Sequence, residues 1–287
     1  MIPREKSLTL LIPAHNEEES IEKVVSSANK ELQKLGIKYD VIVINDGSTD
    51  KTAELLKKFD FISVITNPYN LGYGASLKKG IKNSAGDWIM IVDSDGTYPL
   101  ESTGELIKFA GEYDMVVGSR KHDYDYFGRK PAKWILKKIA GFLAGRDIPD
   151  LNSGMRIFSR TVAMDFFDLF PSGFSFTSTI TLACFANDYT VKYVDIPYYQ
   201  RKGQSGIKPK HFFDFLVLII KIFIYFKPLR MLSPVFLLFL VLGVSKAVKD
   251  LLAVGYIGTL SSILILLSMQ IFFLSLISEV IIKRGSR

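Results

Sequence analysis

The chain is short of the residues that would point to several familiar chemistries. It holds a single cysteine, Cys184, in 287 residues, so an internal disulfide is excluded and no thiolate cluster can be assembled around a metal. Its histidines are His15, His122 and His211; they form no ligand spacing, and all three read as incidental. There is no acidic excess either, since 36 Lys and Arg against 29 Asp and Glu leave a formal charge of +7. No cleavable leader is expected, because Met1–Ser7 is charged and the apolar run behind it, Leu8–Ile12, is short.

Charge itself is missing from one long stretch. None occurs between Leu251 and Ser278, a run exceeding the roughly 20 apolar residues that cross a bilayer. Met231–Ser245 is also uncharged but shorter, so a second spanning helix must run on past Lys246 or let that side chain reach back to the interface. A transmembrane hairpin turning around Lys249–Gly258 is therefore expected. Lys227 and Arg230 precede it, and Lys283, Arg284 and Arg287 follow it. By the positive-inside rule both ends face the cytoplasm, with Lys246 and Lys249 reducing the bias.

Phe212–Phe226 differs, carrying Asp214 and Lys221 within its apolar run. That suits a helix lying in the headgroup plane. Residues 211–287 hold eight Lys or Arg against three Asp or Glu, so most of the net charge belongs to this part. An anionic membrane surface, and no nucleic acid, is the expected partner. The exposed hairpin also offers a surface to a second copy, which makes a homo-oligomer a candidate assembly.

The first 200 residues read as a different kind of structure. Short β-rich runs at Leu8–Ile12, Tyr39–Ile44, Ile62–Thr66, Trp88–Val92 and Asp114–Val117 alternate with helical stretches such as Ser20–Leu35. This is the pattern of an α/β fold, a mostly parallel sheet with flanking helices. Ligands of such sheets bind beyond the carboxyl ends of the strands. The residues there are Pro13-Ala14-His15-Asn16-Glu17 after the first run and Asn45-Asp46-Gly47-Ser48-Thr49-Asp50 after the second, where Gly47 permits a tight turn. Asp93-Ser94-Asp95-Gly96 follows the fourth. Two carboxylates one residue apart can face one hard cation, and oxygen ligands with retained water suit Mg²⁺ or Mn²⁺.

In order, Pro-Ala-x-Asn-Glu-Glu, Val-Ile-Asn-Asp-Gly-Ser-Thr-Asp, Asn-Leu-Gly-Tyr-Gly-Ala-Ser-Leu and Gly-Asp-Trp-Ile-Met-Ile-Val-Asp-Ser-Asp-Gly resemble the family 2 inverting glycosyltransferases. Val-Val-Gly-Ser-Arg at 116–120, Asp-Leu-Asn-Ser-Gly-Met-Arg at 150–156 and Gln-Arg-Lys-Gly-Gln-Ser at 200–205 look like its polyprenyl-phosphate branch. The resemblance implies a GT-A, Rossmann-like catalytic domain over residues 1–208. A juxtamembrane amphipathic helix at 209–228 and a transmembrane hairpin at 229–287 follow. An integral membrane protein with its catalytic domain on the cytoplasmic face is the arrangement implied. The implied partners are a nucleoside diphosphate sugar and a polyprenyl phosphate, with Mg²⁺ or Mn²⁺ as cofactor.

Carried over by position, Pro13, Ala14, Asn16 and Glu17 lie by the nucleoside, Asp46 takes a base or ribose hydrogen bond, and Gly72 belongs to the nucleotide-sugar site. Asp93 and Asp95 match the metal pair. Arg120, Arg129 and Arg201 are assigned to the acceptor phosphate or donor diphosphate, and Asp150 is a base or orienting group near the acceptor. Arg156 either contacts phosphate or pairs with Asp150. Where relatives carry Gln two residues past the second Asp this chain has Thr97, and where they have Ser-Lys it has Ser205-Gly206, with Lys208 nearby. Two rivals carry different chemistry: a membrane glycosyltransferase acting on a hydroxyl of another lipid or glycan, and a non-catalytic nucleotide-binding accessory to a lipid carrier.

Overall fold

The computed structural model describes residues 6–120, 138–173, 175–199 and 210–285. Side-chain alternation along β1 (Ser7–Ala14) creates two core layers. Leu8, Leu10 and Ile12 pack on one face of the sheet and Leu11 on the other, all buried. Above the first face lies α1 (Ile21–Gln33), whose buried Ile21, Val24, Val25, Ala28 and Leu32 recur at helical spacing. The second face meets α3 (Tyr73–Asn83) through Leu77 and Ile81.

The remaining strands are β2 (Lys38–Asn45), β3 (Ile62–Thr66), β4 (Trp88–Ile91), β5 (Met115–Arg120), β6 (Arg156–Ser159) and β7 (Val191–Ile196). With short helices α2 (Thr52–Leu56), α4 (Thr103–Ile107), α5 (138–144) and α6 (Arg160–Asp165) between them, they form a sheet of order β3-β2-β1-β4-β6-β5-β7. The five expected strands are present: Ile62–Thr66 is matched at both ends, and the other four have ends displaced by at most three residues. Among the described strands β6 alone is antiparallel to its neighbours, β4 and β5. Because it runs backwards, the segment leading into it, 150–155, arrives at the edge where β1, β2, β4 and β5 end.

Helix α7 (Phe176–Ala186) is buried along its whole length. Its outer side is covered by α8 (Lys210–Phe226), whose Ile219, Ile222 and Phe223 pack with Leu182, Phe185 and, from α5, Leu143. The helix expected to lie wholly on the membrane thus docks one apolar face on the domain. Val217, Ile224 and Tyr225 face outward and are exposed. Burying each inner side chain contributes about 1.5–3 kcal/mol. A chain ending at Phe226 is therefore expected to melt about 10 °C or more above one ending at Lys208. Equal melting temperatures in a thermal scan would show that the α8 packing contributes nothing.

Two helices, α9 (Pro228–Val254) and α10 (Thr259–Gly285), follow, both long and apolar enough to cross a membrane. Only 6% and 17% of their most apolar stretches are buried, unlike soluble core helices. The turn is shorter than the expected Lys249–Gly258, because α9 continues through Lys246 and Lys249 and stops at Gly255, whose φ of 78° is a left-handed helix end. Lys246 pairs with Asp250, and Asp250 also accepts bonds from Ser261 and from Gly258 N (3.2 Å). Ser261, Ser268 and Ser275, seven residues apart, are buried, and Ser268 donates to Phe236 O across the pair (2.9 Å). Gly243 lets the helices close: a Cβ there would come 2.8 Å from Ile265 Cγ1.

Candidate functional site

The strand ends are laced together by short polar side chains. Asp46, 3% exposed, accepts bonds from Asn67 Nδ2 (2.7 Å), Leu71 N (2.9 Å) and Gly72 N (2.8 Å). It thus fixes the loop that carries Gly72, and its oxygens are engaged in that loop. Asn16, at a φ of 56°, accepts from Thr49 N (2.8 Å), while Glu17 N donates to Thr52 Oγ1 (2.8 Å). His15, expected to be incidental, bonds Asp46 O through Nδ1 (2.8 Å). The turn expected at Gly47 has a φ of 64°, and a Cβ there would lie 2.4 Å from the Tyr69 carbonyl carbon. Pro13 and Ala14 belong to β1 itself, and Pro13 O accepts from Ser94 Oγ (2.8 Å), tying β1 to the end of β4.

Beyond β4, Asp93 and Asp95 are both partly buried. Asp93 Oδ1 accepts from Tyr73 Oη (2.8 Å). On its other side stands Gly154, where a methyl would lie 1.9 Å from Asp93 Oδ2. Gly154 N in turn donates to the buried Tyr98 Oη (2.6 Å). Burial first, and the neighbouring Asp95 charge second, push the Asp93 carboxyl up to about 6. Asp95 Oδ1 accepts from Thr97 Oγ1 (2.6 Å) and Thr97 N (3.1 Å), so Thr97 orients the carboxylate. Two hard carboxylates side by side, one of them desolvated, suit a divalent cation. No cluster of three or more His, Cys, Asp or Glu joins them among the described residues.

At the end of β5, Arg120 grips Asp150 with two bonds, Nε to Oδ2 (2.7 Å) and Nη2 to Oδ1 (2.8 Å). Burial works to raise the Asp150 pKa, but the Arg120 bonds and charge outweigh it and hold the carboxyl below its ordinary value. The guanidinium also lies 5.2 Å from the Tyr198 ring centroid. A carboxylate so held is a poor base and a good orienting partner for Arg120. Its lowered pKa means the pair stabilises the fold above the unfolded carboxylate pKa of about 3.9, and that contribution is lost as pH falls through the lower folded value. The gap in melting temperature between wild type and Asp150→Asn is therefore expected to be widest above pH 5 and to shrink below pH 4. A gap independent of pH would show that the charge is not what the variant loses.

Arg156 does neither of the things expected of it. It is fully buried and donates to Ser153 O (3.0 and 2.6 Å), Thr177 O (2.8 Å) and Thr181 Oγ1 (2.8 Å), because β6 turns its first side chain under α7 while Arg120 takes Asp150. Tyr73, Tyr98 and Gly154 went unassigned in the sequence, although the first and last sit inside motifs quoted for other residues. Arg129 and Arg201 lie outside the described residues.

Residues 9–167 match the profile of glycosyl transferase family 2, and residues 227–283 that of the GtrB C-terminal hairpin. Among curated proteins, the low-salt glycan biosynthesis hexosyltransferase Agl6 of Haloferax volcanii is 29% identical over 210 residues, covering 70% of this chain and 50% of that protein. The undecaprenyl-phosphate 4-deoxy-4-formamido-L-arabinose transferase of Salmonella newport is 29% identical over 164 residues, covering 55% and 50%. The chain thus spans about half the length of these relatives. Among solved structures, glucosyl-3-phosphoglycerate synthase of Mycobacterium tuberculosis, in complex with Mn²⁺, uridine diphosphate and phosphoglyceric acid, superposes with a TM-score of 0.60 at 18% identity. It covers 76% of this chain and 78% of that one, which establishes the fold as theirs. With the profile match covering more than half of its length, the chain belongs to glycosyl transferase family 2.

Proposed function

We propose that the protein transfers a hexose from a nucleoside diphosphate sugar to a polyprenyl phosphate at a membrane surface, with inversion at the anomeric carbon. The observation that carries this reading is the way the chain leaves the site. Tyr199 N donates to Thr97 O (2.9 Å), two residues past Asp95, and α8 (Lys210–Phe226), a short way further along the chain, leads into the hairpin. A strand-end site followed in the chain by a docked helix and two membrane-length helices suits an acceptor that lives in the bilayer. The name of the Salmonella relative, an undecaprenyl-phosphate transferase, supports the same acceptor class.

In this reading the nucleoside lies over the ends of β1 and β2, against Pro13, Ala14, Asn16 and Glu17, with Gly72 giving the diphosphate a close backbone approach. Asp93 and Asp95 hold Mg²⁺ or Mn²⁺, which neutralises the leaving diphosphate. Arg120, kept in place by Asp150 and Tyr198, presents its guanidinium to phosphate oxygens; Arg129 and Arg201 share that task. The acceptor oxygen is already ionised at neutral pH, so the reaction needs no strong base, which agrees with an Asp150 committed to Arg120. The Lys and Arg residues that flank the hairpin in the sequence support a catalytic domain on the cytoplasmic face.

The test is a panel of radiolabelled nucleotide sugars offered to the purified protein with polyprenyl phosphate, polyprenyl alcohol or no lipid. Transfer to the phosphate and not the alcohol is expected. Equal transfer to the alcohol would sink the phosphate acceptor, and nucleotide-sugar binding without any turnover would favour the accessory role.

A further inference from the structure

A cavity of about 990 Å³ lies at the base of the hairpin, away from the strand-end site, between the loop after α7, the α8–α9 corner and the last turns of α10. Asp188 sits just before β7, whose opposite end, Ile196, pairs with Arg120. A six-residue strand is about 20 Å long, so the cavity opens at the other edge of the sheet from Asp95 and Arg120. We propose that it holds the phosphodiester headgroup of a resident membrane phospholipid, a ligand distinct from the acceptor. This rests on the membrane part of the functional reading and not on the transfer reaction.

The cavity has a polar end and an apolar one. At the polar end Lys227 is paired with Asp188 (2.7 Å), whereas the exposed Arg230 makes no hydrogen bond or ion pair through its guanidinium with any described residue. The guanidinium lies over Gly145, where a Cβ would come 2.7 Å from Nη1, and Ser233 stands one turn further along α9. Glu279 faces them from α10, so the cavity is not a general anion trap; a phosphodiester beside Arg230 matches it better than a multiply charged anion. At the apolar end Tyr225 and Ile281 are more than half exposed and offer a surface for acyl chain. Depth agrees with this division. Arg230 and Asp250 stand 20 residues apart on α9, about 30 Å at 1.5 Å per residue, which is the thickness of a bilayer core. With Asp250 and Lys246 at one headgroup layer, Arg230 and the cavity lie in the other, where lipid phosphates are.

The experiment uses the full chain in mild detergent, with retained lipid counted by native mass spectrometry during titration with phosphatidylglycerol. Diacylglycerol, which lacks the phosphate, and inorganic phosphate are the comparators. Wild type is expected to retain phosphatidylglycerol and not diacylglycerol, and inorganic phosphate at equal concentration should not displace it. Arg230→Gln should weaken retention about fivefold or more, with Arg230→Lys recovering part of it. Ser233→Trp, which fills the cavity and keeps both cations, should abolish retention even if the Arg230 variant folds poorly. Arg230→Gln and Ser233→Trp are both expected to turn over a short, water-soluble prenyl phosphate at the wild-type rate. Wild-type retention in both variants, equal retention of diacylglycerol, or displacement by inorganic phosphate would each overturn the proposal. So would selective loss of short-acceptor turnover in the variants, which would make the cavity part of the acceptor site. A wild-type protein that holds the lipid yet transfers no sugar would instead sink the functional reading alone.

Discussion

Asp95→Ala is expected to lower turnover by about 10³-fold or more, because a ligand to the ion that neutralises the leaving group contributes several kcal/mol to the transition state. The alanine variant has a second consequence. Thr97 is 1% exposed and its hydroxyl donates to Asp95 Oδ1, so removing the carboxylate strands a buried hydroxyl at a cost of about 1–3 kcal/mol. Some loss of stability will accompany the loss of rate. Asp95→Asn separates the two, since its amide oxygen can still accept from Thr97 while the charge is gone. The asparagine variant is expected to melt close to wild type and to be nearly as inactive as the alanine variant. Near-normal turnover in the asparagine variant, or full wild-type activity in excess EDTA, would remove the metal from the site.

The parts of this architecture that sequence periodicity could reveal are those whose pattern is local. β1 is a short continuous apolar run buried on both faces, α1 repeats its buried residues at helical spacing, and the hairpin is an uncharged run; each announces itself within a window of one element. β6 and β7 did not. The first has four residues and opens on Arg156, whose burial is possible only because Ser153, Thr177 and Thr181 supply acceptors from two other segments. The second, Val191–Ile196, is only partly buried until its last residue, so its apolar signal is thin. The fate of α8 was hidden for a related reason. A helix apolar on two faces has the same composition whether it rests on lipid or on a protein surface, and only α7, buried along its whole length, shows that one face is taken.

The site divides along the same line. Carboxylates and arginines at strand ends stand out in the sequence because charged residues after apolar runs are conspicuous. What orients them is not conspicuous. Thr97, Tyr73, Tyr98 and Gly154 act through contacts 20 to 61 residues away or through a hydroxyl two residues along, and nothing in their composition distinguishes them from turn and packing residues. Asp150 shows the converse: its type left a base and an orienting group both open, and the two bonds from Arg120 favour the orienting role.

Gly154→Ala, which adds a single methyl, is expected to cost about 10²-fold or more in turnover. The new carbon would lie 1.9 Å from Asp93 Oδ2 and 2.3 Å from its carboxyl carbon, far inside van der Waals contact. Gly154 cannot easily retreat, because its N–H is bonded to the buried Tyr98 Oη. Asp93 is the mobile partner, and it must swing off Tyr73 and out of register with Asp95. Displacing a reacting group by about 1 Å is worth roughly 10²-fold, whereas overpacking a site costs about 1–3 kcal/mol of stability. The variant therefore loses activity far out of proportion to its change in melting temperature. Tyr73→Phe tests the same contact from the opposite side, deleting one hydroxyl without adding volume, and is expected to cost less, about tenfold. If both act by releasing Asp93, their effects will not add: once the methyl has moved the carboxylate away from Tyr73, the Tyr73 hydroxyl no longer holds Asp93 in place. The double variant should then be no slower than Gly154→Ala alone. Multiplicative losses in the double variant would mean that the two residues act independently and that Tyr73 does not position Asp93.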